Sequence, residues 1–168
     1  MTVSVGTTDV AERFRVAMRH LAATVTILST ENDGARYGMT ATAVTSLSIS
    51  PPAALAAVNQ SSLFHAQVSR RGAFCINLLS AHHDGECHAF AGGKPAESRF
   101  VDACWAAGPS SLPYFVDAEA SIFCTLEQAV DYGTHTIFIG LVQDVRANEA
   151  VNPLIYLNGG FVERRLPA

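Results

Sequence analysis

Three short segments of this chain carry residue types that could bind a polar ligand. In the first, GMTATAVTSLSISPP (residues 38–52), hydroxyl side chains are interleaved with small residues. Small residues let a flat ligand approach the backbone, and hydroxyl and amide groups can pair with its polar edge. Alternation along a strand would place residues on opposite faces, Thr40 and Thr42 against Met39, Ala41 and Ala43. Taken alone, an ordinary Thr- and Ser-rich strand is the simpler interpretation.

The other two segments are NQSS (residues 59–62) and GTHT (residues 133–136). NQSS precedes a predicted helix, so its hydroxyl groups and free backbone amides could bind an anion such as phosphate. In GTHT, His135 follows a tight turn at the start of a long strand, where an imidazole can donate a hydrogen bond or carry a proton. The simpler interpretations are a helix N-cap and a solvent-exposed turn histidine.

A further segment, HHDGECH (residues 82–88), contains residue types that bind zinc or iron. Two pairs are spaced to share a helix face, His83 with Cys87 and His82 with Glu86. Gly85 is expected to interrupt the helix, and no distant CxxC or HxxxH pair completes a ligand set. We therefore expect a solvated polar helix face and no metal site.

Composition restricts the class of protein. The 168 residues fit one domain, and only 15% of them are charged, against about 25% in typical soluble domains. This low charge favours a large surface buried between subunits and therefore a homodimer. A net charge of −4 without a Lys- and Arg-rich run argues against non-specific nucleic-acid binding. No apolar stretch approaches the roughly 20 residues that span a bilayer, so no membrane association is expected.

Cysteine usage and the first residues indicate the compartment. Cys75, Cys87, Cys104 and Cys124 are widely spaced and form no CxxC pair. The start of the chain, MTVSVGTTDVAE, lacks a basic region followed by an apolar run, so it does not resemble a secretory signal. Both features predict reduced thiols, mostly small core residues, in a cytoplasmic protein.

The elements that must position these segments are mostly strands. Asp9 and Glu12 have the spacing of a capping box, and apolar residues recur after them, which predicts a helix over about residues 10–22. A second helix is capped by Ser61 or Ser62, and a short third one ends at Gly92 or Gly93. Strands are predicted over residues 24–30, 36–50, 54–59, 74–80, 120–130, 134–147 and 152–161, with an N-D-G hairpin turn after the first.

Predominant strands, recurring hairpins and peripheral helices predict an antiparallel barrel in a single domain, residues 1–168, with its core at about 10–163. In the long strand we expect one shared face, formed by Ile137, Ile139, Leu141 and Val145. Neither GxGxxG nor GxxxxGK[ST] occurs, so a nucleotide would have to be bound without a glycine-rich phosphate loop.

From residue 14 to residue 161 the chain resembles the short-chain flavin reductase family, the flavin-reductase-like domain with an FMN-binding split β-barrel. FRVAMRHLAATVTILST resembles the opening helix and strand of that family. Seven further segments follow in the family's order: GMTATAVTSLSISPP, the strand before NQSS, RGAFCINLL, FAG, RF, GTHTIFIGLV and NPLIYLNGGF. Each is weak alone, but seven in register are specific. The fold implied is mainly β, an antiparallel split β-barrel with peripheral α-helices.

The resemblance also implies an activity. The family members are NAD(P)H:flavin oxidoreductases that reduce FMN or FAD with NADH or NADPH and supply reduced flavin to a flavin-dependent monooxygenase component. One alternative is a split-barrel protein that holds flavin or haem without turnover. Another is an oxidase of the pyridoxamine-phosphate type, which needs basic residues around its phosphate that NQSS does not offer.

Carried over residue by residue, the resemblance implies a flavin site and a catalytic residue. The ring and ribityl chain would be lined by Met39, Thr40, Ala41, Thr42, Ala43 and Ser46. The phosphate would be held by Asn59, Ser61 and Ser62, with Phe90, Ala91 and Arg99 near the phosphate or adenosine end. Tyr156 would flank the pocket, and His135 would contact the nicotinamide.

The chain departs from the family pattern at two positions. Gln60 stands where the family often has Lys or Arg, so one positive partner for phosphate is missing and the choice between FMN and FAD stays open. The opening strand of the family usually reads ATGVT, whereas here Ala23 precedes Thr24, Val25 and Thr26 without the glycine. We expect this departure to be structural only.

Overall fold

A computed structural model describes residues 7–101, 103–149 and 151–162. The α-helices in these ranges are α1 (Thr7–Met18), α2 (Leu63–Arg71) and α3 (Asp84–His88), and a π-helical turn over Ala89–Gly93 continues α3 to the predicted end. The strands are β1 (Ala23–Thr24), β2 (Thr26–Asn32), β3 (Ala35–Ala41), β4 (Val44–Ile49), β5 (Pro52–Asn59), β6 (Ala73–Leu78), β7 (Trp105–Ala107), β8 (Pro113–Phe115), β9 (Ala120–Tyr132), β10 (His135–Ala147), β11 (Ile155–Leu157) and β12 (Gly160–Val162). None of the helices described here has both the length and the apolar character needed to cross a membrane.

Seven strands form the main antiparallel sheet, in the order β3-β2-β6-β9-β10-β5-β4. The edge strands β3 and β4 are consecutive in the chain and are joined only by Thr42 and Ala43. In a flat sheet, six spacings of about 4.8 Å would separate them by about 29 Å, whereas the link reaches only about 11 Å. The sheet must therefore curl until its edges approach without pairing. The predicted split barrel is confirmed.

Two smaller sheets complete the structure, β1-β11-β12 and β7-β8. In the first, Ala23 pairs with Tyr156 and Thr24 with Ile155. The backbone of Val25 donates to Leu154 O at 2.8 Å and accepts from the Leu79 amide at 3.0 Å. These pairings hold the C-terminal hairpin against the start of β2, which is how Tyr156 reaches the barrel edge.

Two apolar clusters stabilise the barrel and its surroundings. One packs α2 on the sheet through Phe64, Val68, Phe74 and Phe138. The other gathers Phe90, Trp105 and Phe115 beside the sheet. The cysteines are core residues, as predicted: Cys87 and Cys124 are buried in these clusters, Cys75 is buried in a smaller third one, Cys104 is half-buried, and all four thiols are free.

A buried amide links the sheet to the β7–β8 hairpin. The side chain of Asn77 is fully buried, and its Nδ2 donates to Ile27 O and Ser29 Oγ, both at 2.9 Å. Its Oδ1 accepts from the Phe115 amide at 2.9 Å and from Ser121 Oγ at 3.0 Å. Every hydrogen-bonding position of this amide is therefore used, which offsets the cost of its burial.

The structure corrects the prediction for the first helix. Helix α1 begins at Thr7 and ends at Met18, so Asp9 lies in the first turn and not at the N-cap. There it forms an i,i+4 ion pair with Arg13 at 3.7 Å. The apolar side chains of α1 are exposed, with Phe14 at 64%, because nothing in the described chain packs over them.

Three strand predictions were also wrong in detail. Residues 36–50 form two strands, because β3 pairs with β2 and β4 pairs with β5. Residues 152–161 form the β11–β12 hairpin, which turns at Asn158 and Gly159 with φ of 51° and 84°. In β10, Ile137, Ile139 and Leu141 alternate with the buried Thr136, Phe138 and Gly140 as expected, but a register shift between Val142 and Asp144 moves Val145 off the predicted shared face, and Val145 lines a cavity together with Val142. Gly85 does not interrupt its helix but lies within α3.

Candidate functional site

A cavity of about 460 Å³ opens between the edge strand β3, helix α3 and the C-terminal hairpin. Its volume lies in the range of about 300–1,000 Å³ that is usual for small-molecule sites. Seven predicted site residues line it: Met39, Thr40, Ala41, Thr42, Phe90, Ala91 and Tyr156. Four further lining residues were not predicted: Val25, Cys87, His88 and Phe161. We call it the ring cavity.

Gly38 lets the aromatic core pack directly on β3. A Cβ at Gly38 would lie 2.8 Å from a ring carbon of Phe90 and 3.0 Å from Leu28 O. Phe90 is held in place by Phe100 and Trp105, with ring centroids at 5.0 Å and 5.2 Å. Close contact between this ring and the strand backbone therefore requires glycine.

The wall formed by β3 exposes polar backbone groups and is held in place by two side-chain hydrogen bonds. Because β3 is an edge strand that, among the described strands, pairs only with β2, alternate backbone groups point away from the sheet and can bind a ligand. Thr40 Oγ1 donates to Cys87 O at 2.7 Å, and Thr26 Oγ1 donates to Ala41 O at 2.7 Å. A flat heterocycle with polar atoms on its rim matches such a wall.

The other wall combines a thiol with aromatic rings. Burial raises the pKa of the Cys87 thiol, so this group stays protonated at neutral pH. The Phe161 ring lies 5.6 Å from His88 and 6.0 Å from Tyr156 between centroids. These three rings offer surfaces for stacking against a planar ligand.

A second, smaller cavity of about 100 Å³ adjoins the ring cavity, since Met39 lines both. Its charged and polar lining includes Arg36, Ser62 and Arg99. Arg99 is oriented by Nε donating to Lys94 O at 2.9 Å and Nη1 donating to Gly38 O at 3.4 Å. Two guanidinium groups beside a helix N-terminus favour an anion. We call it the anion cavity.

The turn before α2 is held by its own side chains. Ser62 is the N-cap, as predicted: its Oγ accepts from the His65 amide at 3.1 Å and donates to Asn59 O at 2.8 Å. Ser61 donates to Asn59 Oδ1 through its amide at 2.9 Å and its hydroxyl at 2.8 Å. Ser62 therefore reaches the anion cavity, whereas Asn59 and Ser61 shape the turn behind it.

The remaining predicted residues lie outside these two cavities. His135 is exposed at the start of β10 and pairs with Asn59 in register, and its Nδ1 lies 2.9 Å from Thr134 Oγ1. Ala43 is in the link between β3 and β4. Ser46 lines a third, open cavity of about 600 Å³.

The HHDGECH segment contributes to a cluster that differs from the predicted pairs. His82 Nε2 and His83 Nε2 lie 3.2 Å and 3.1 Å from Asp117 Oδ2, and their hydrogen bonds lower the pKa of that carboxyl. The Ser80 amide donates to His83 Nδ1 at 3.1 Å, so the proton of the neutral ring is on Nε2. That nitrogen then donates to Asp117 and offers no lone pair to a metal. The expected absence of a metal site stays a prediction.

Comparison with known proteins identifies a shared family. The profile described as "Flavin reductase like domain" matches residues 18–164. The chain is 38% identical to "FMN reductase (NADH) RutF" of Agrobacterium fabrum over 145 residues, covering 86% of this chain and 83% of that protein. It is 36% identical to "FADH(2)-dependent resorcinol hydroxylase, reductase component" of Rhizobium sp., covering 90% and 86%. The structure of "Flavin reductase PheA2 in native state" superposes with a TM-score of 0.84 at 31% identity, covering 92% and 98%.

Proposed function

Because this chain belongs to the flavin-reductase-like domain family and is an NAD(P)H-dependent flavin reductase, we propose that FMN and NADH are its preferred pair. Among its relatives, the one from Agrobacterium fabrum is named as an FMN reductase that uses NADH. Flavin binding itself is supported by the ring cavity, which is lined by seven of the predicted flavin-binding residues.

The isoalloxazine ring occupies the ring cavity in this proposal. The free edge of β3 presents backbone donors and acceptors to the polar rim of the ring, and Phe90 closes the inner end as a buried side chain. The neutral Cys87 thiol and the aromatic wall face the ring from the other side of the cavity. Such donors stabilise negative charge that develops on a bound heterocycle.

The flavin phosphate occupies the anion cavity. Ser62, Arg36 and Arg99 supply the polar and positive groups there. The two guanidinium groups compensate for the absence of a Lys or Arg at position 60. A cavity of about 100 Å³ with this lining accommodates one phosphate. The basis for choosing FMN over FAD is the name of the relative from Agrobacterium fabrum.

His135 orients the nicotinamide. It lies at the start of β10, beside the turn that precedes α2. Ser62, the last residue of that turn, lines the anion cavity. With both nucleotides bound, the nicotinamide supplies a hydride that the flavin accepts, so the difficult chemistry belongs to the cofactors. The contribution of the chain is alignment.

The reduced flavin leaves to a partner. The protein from Rhizobium sp. is named as the reductase component of a hydroxylase, and this chain supplies reduced flavin to a monooxygenase component in the same way.

We also propose a homodimer. Exposed apolar residues after α1 and at the end of β4, with Leu21 at 62% and Ile49 at 83%, border the open third cavity, and a second copy would cover them.

The deciding experiment measures NADH and NADPH oxidation by the purified protein with FMN, FAD, riboflavin or no flavin. We expect turnover only when flavin is present and the highest kcat/KM with FMN and NADH. Equal kcat/KM for FMN and FAD would contradict the choice of FMN, and no flavin-dependent turnover would contradict the enzyme itself.

A further inference from the structure

We infer that Thr136 is a positioning residue that fixes His135 for nicotinamide binding, through a hydrogen-bond node that joins three elements. The inference rests on the proposed role of His135. Thr136 follows His135 directly in β10 and is only 1% exposed. The family resemblance assigned no role to this hydroxyl, to His65 or to Asp131.

The node has a defined geometry. Thr136 Oγ1 lies 2.5 Å from Asp131 Oδ1 near the end of β9, and 2.8 Å from His65 Nε2 in α2. Gln60 Nε2, from the turn before α2, lies 3.4 Å from the same oxygen. One hydroxyl therefore connects α2, its preceding turn and the β9–β10 hairpin.

The chemistry of these groups fixes the direction of each bond. An ionised carboxylate only accepts hydrogen bonds, so the Thr136 hydroxyl must donate to Asp131. Its oxygen then accepts from His65, which requires the proton of that ring to be on Nε2. The His65 ring is also stacked on Phe138, at 5.1 Å between centroids and 29° between planes. The hydroxyl thus has a single orientation.

Further bonds carry this order to His135. Gln60 Nε2 also donates to His135 O at 3.3 Å, and the backbone amide of Gln60 donates to Thr134 O at 3.0 Å. The node therefore anchors the backbone on both sides of His135 against the α2 turn. By contrast, the turn around Ser62 is held by its own bonds to Asn59 and His65. Loss of the Thr136 hydroxyl should affect the nicotinamide side more than the phosphate side.

A purely structural role does not require such a node. Burying the Thr136 hydroxyl carries a desolvation cost that an apolar side chain of the same shape would avoid, although its partners Asp131 and His65 are exposed and half-buried. The strand is already paired on both sides, with β5 and β9. Backbone pairing alone does not fix the position of His135, the exposed first residue of β10. The directional hydrogen bonds of the node supply this placement.

The test replaces Thr136 by Val, which removes the hydroxyl and keeps the branched shape. We expect kcat/KM for NADH to fall about tenfold, since small misplacements of a bound reactant are costly, while the FMN dissociation constant stays within about twofold. Thr136→Ser should restore kcat/KM. The matched control is Thr30→Val, which removes an equally buried hydroxyl bonded to Ala73 O at 2.8 Å and should lower Tm without changing kcat/KM.

A double variant tests whether Thr136 acts through His135. In the His135→Ala background, Thr136→Val should cause no further loss of kcat/KM, because the group that it positions is gone. Full additivity of the two losses would overturn the inference, as would wild-type kcat/KM in Thr136→Val. If Thr136→Val does not fold, His65→Phe, which keeps the ring and loses the donor, replaces it with the same expected outcomes. A wild-type protein without flavin-dependent NADH oxidation would overturn the proposed function together with this inference.

Discussion

The hydroxyl of Thr40 donates a 2.7 Å hydrogen bond to the carbonyl oxygen of Cys87, so the edge strand β3 is tied to helix α3 beside the ring cavity that both residues line. The bond consumes the only proton of this hydroxyl. Thr40 can therefore meet a ligand only as an acceptor, and its main effect is to set the distance between two walls of the cavity.

Thr40→Val should weaken the binding of FMN and of riboflavin to the same extent. The change removes one hydrogen bond, worth about 1 kcal/mol, and loosens the cavity around the ring that both ligands share. Fluorescence titration should give dissociation constants about fivefold higher for both ligands. Thr125→Val, on the exposed part of β9, is the control and should bind like the wild type. Loss of FMN affinity alone would place Thr40 at the phosphate.

Replacing Ser61 and Ser62 together by Ala should distinguish the phosphate from the ring. We expect FMN affinity to fall at least about tenfold, since hydrogen bonds to charged groups are worth about 1.5–3 kcal/mol, and riboflavin affinity to stay near the wild-type value. Ser62→Ala alone should also lower the free energy of unfolding by about 1 kcal/mol, because it removes the N-cap of α2. Equal losses for both ligands would show that the phosphate binds elsewhere.

His135→Ala should separate nicotinamide binding from flavin binding. We expect a large fall in kcat/KM for NADH, up to about 100-fold if the nicotinamide is misplaced by about 1 Å, with an unchanged FMN dissociation constant. Steady-state kinetics at saturating FMN and an FMN titration on the same variant measure the two quantities. An unchanged kcat/KM would mean that His135 is only an exposed turn residue.

Asn77→Leu should destabilise the barrel without touching the site. The substitution leaves the Phe115 amide and the Ser121 hydroxyl without their buried acceptor, at about 1–3 kcal/mol for each unsatisfied group. Urea unfolding should therefore show a loss of at least about 2 kcal/mol. Asn148→Leu, which removes one bond to Ala118 O at an exposed position, should cost less than about 1.5 kcal/mol. A wild-type midpoint in Asn77→Leu would contradict the role of this amide.

Ile49→Glu should convert the proposed dimer into a monomer. Ile49 is 83% exposed at the end of β4, and a carboxylate buried there between two subunits would be unpaired and costly. Light scattering at micromolar concentration should give twice the chain mass for the wild type and one chain mass for the variant. Val116→Glu, at a 54% exposed position after β8, is the control. A monomeric wild type would reject the dimer.

Local patterns in the sequence were sufficient for much of the fold. Helix α2 with its Ser62 cap and strands β5, β6, β9 and β10 lie where side-chain alternation, capping residues and turn residues predicted them. These signals act over a few neighbouring residues, so they can be interpreted without knowing what packs against them. The ordered segments of the family resemblance then indicated which of the hydroxyl- and glycine-containing stretches surround a ligand.

What the sequence alone determined was therefore the type and order of most elements, the split-barrel class and a set of flavin-site residues, of which Met39 to Thr42 line the ring cavity. Phe90 and Ala91, which were expected near the phosphate or adenosine end, line the same cavity. Only the tertiary structure decided that residues 36–50 break at Thr42, because the break exists to let β3 and β4 pair with strands at opposite edges of the sheet. Cavity residues such as Cys87 and Phe161 carry no local signal, since long-range pairing and packing bring them to β3. In the same way, Thr136 becomes a node only because α2 and the β9–β10 hairpin meet at its hydroxyl.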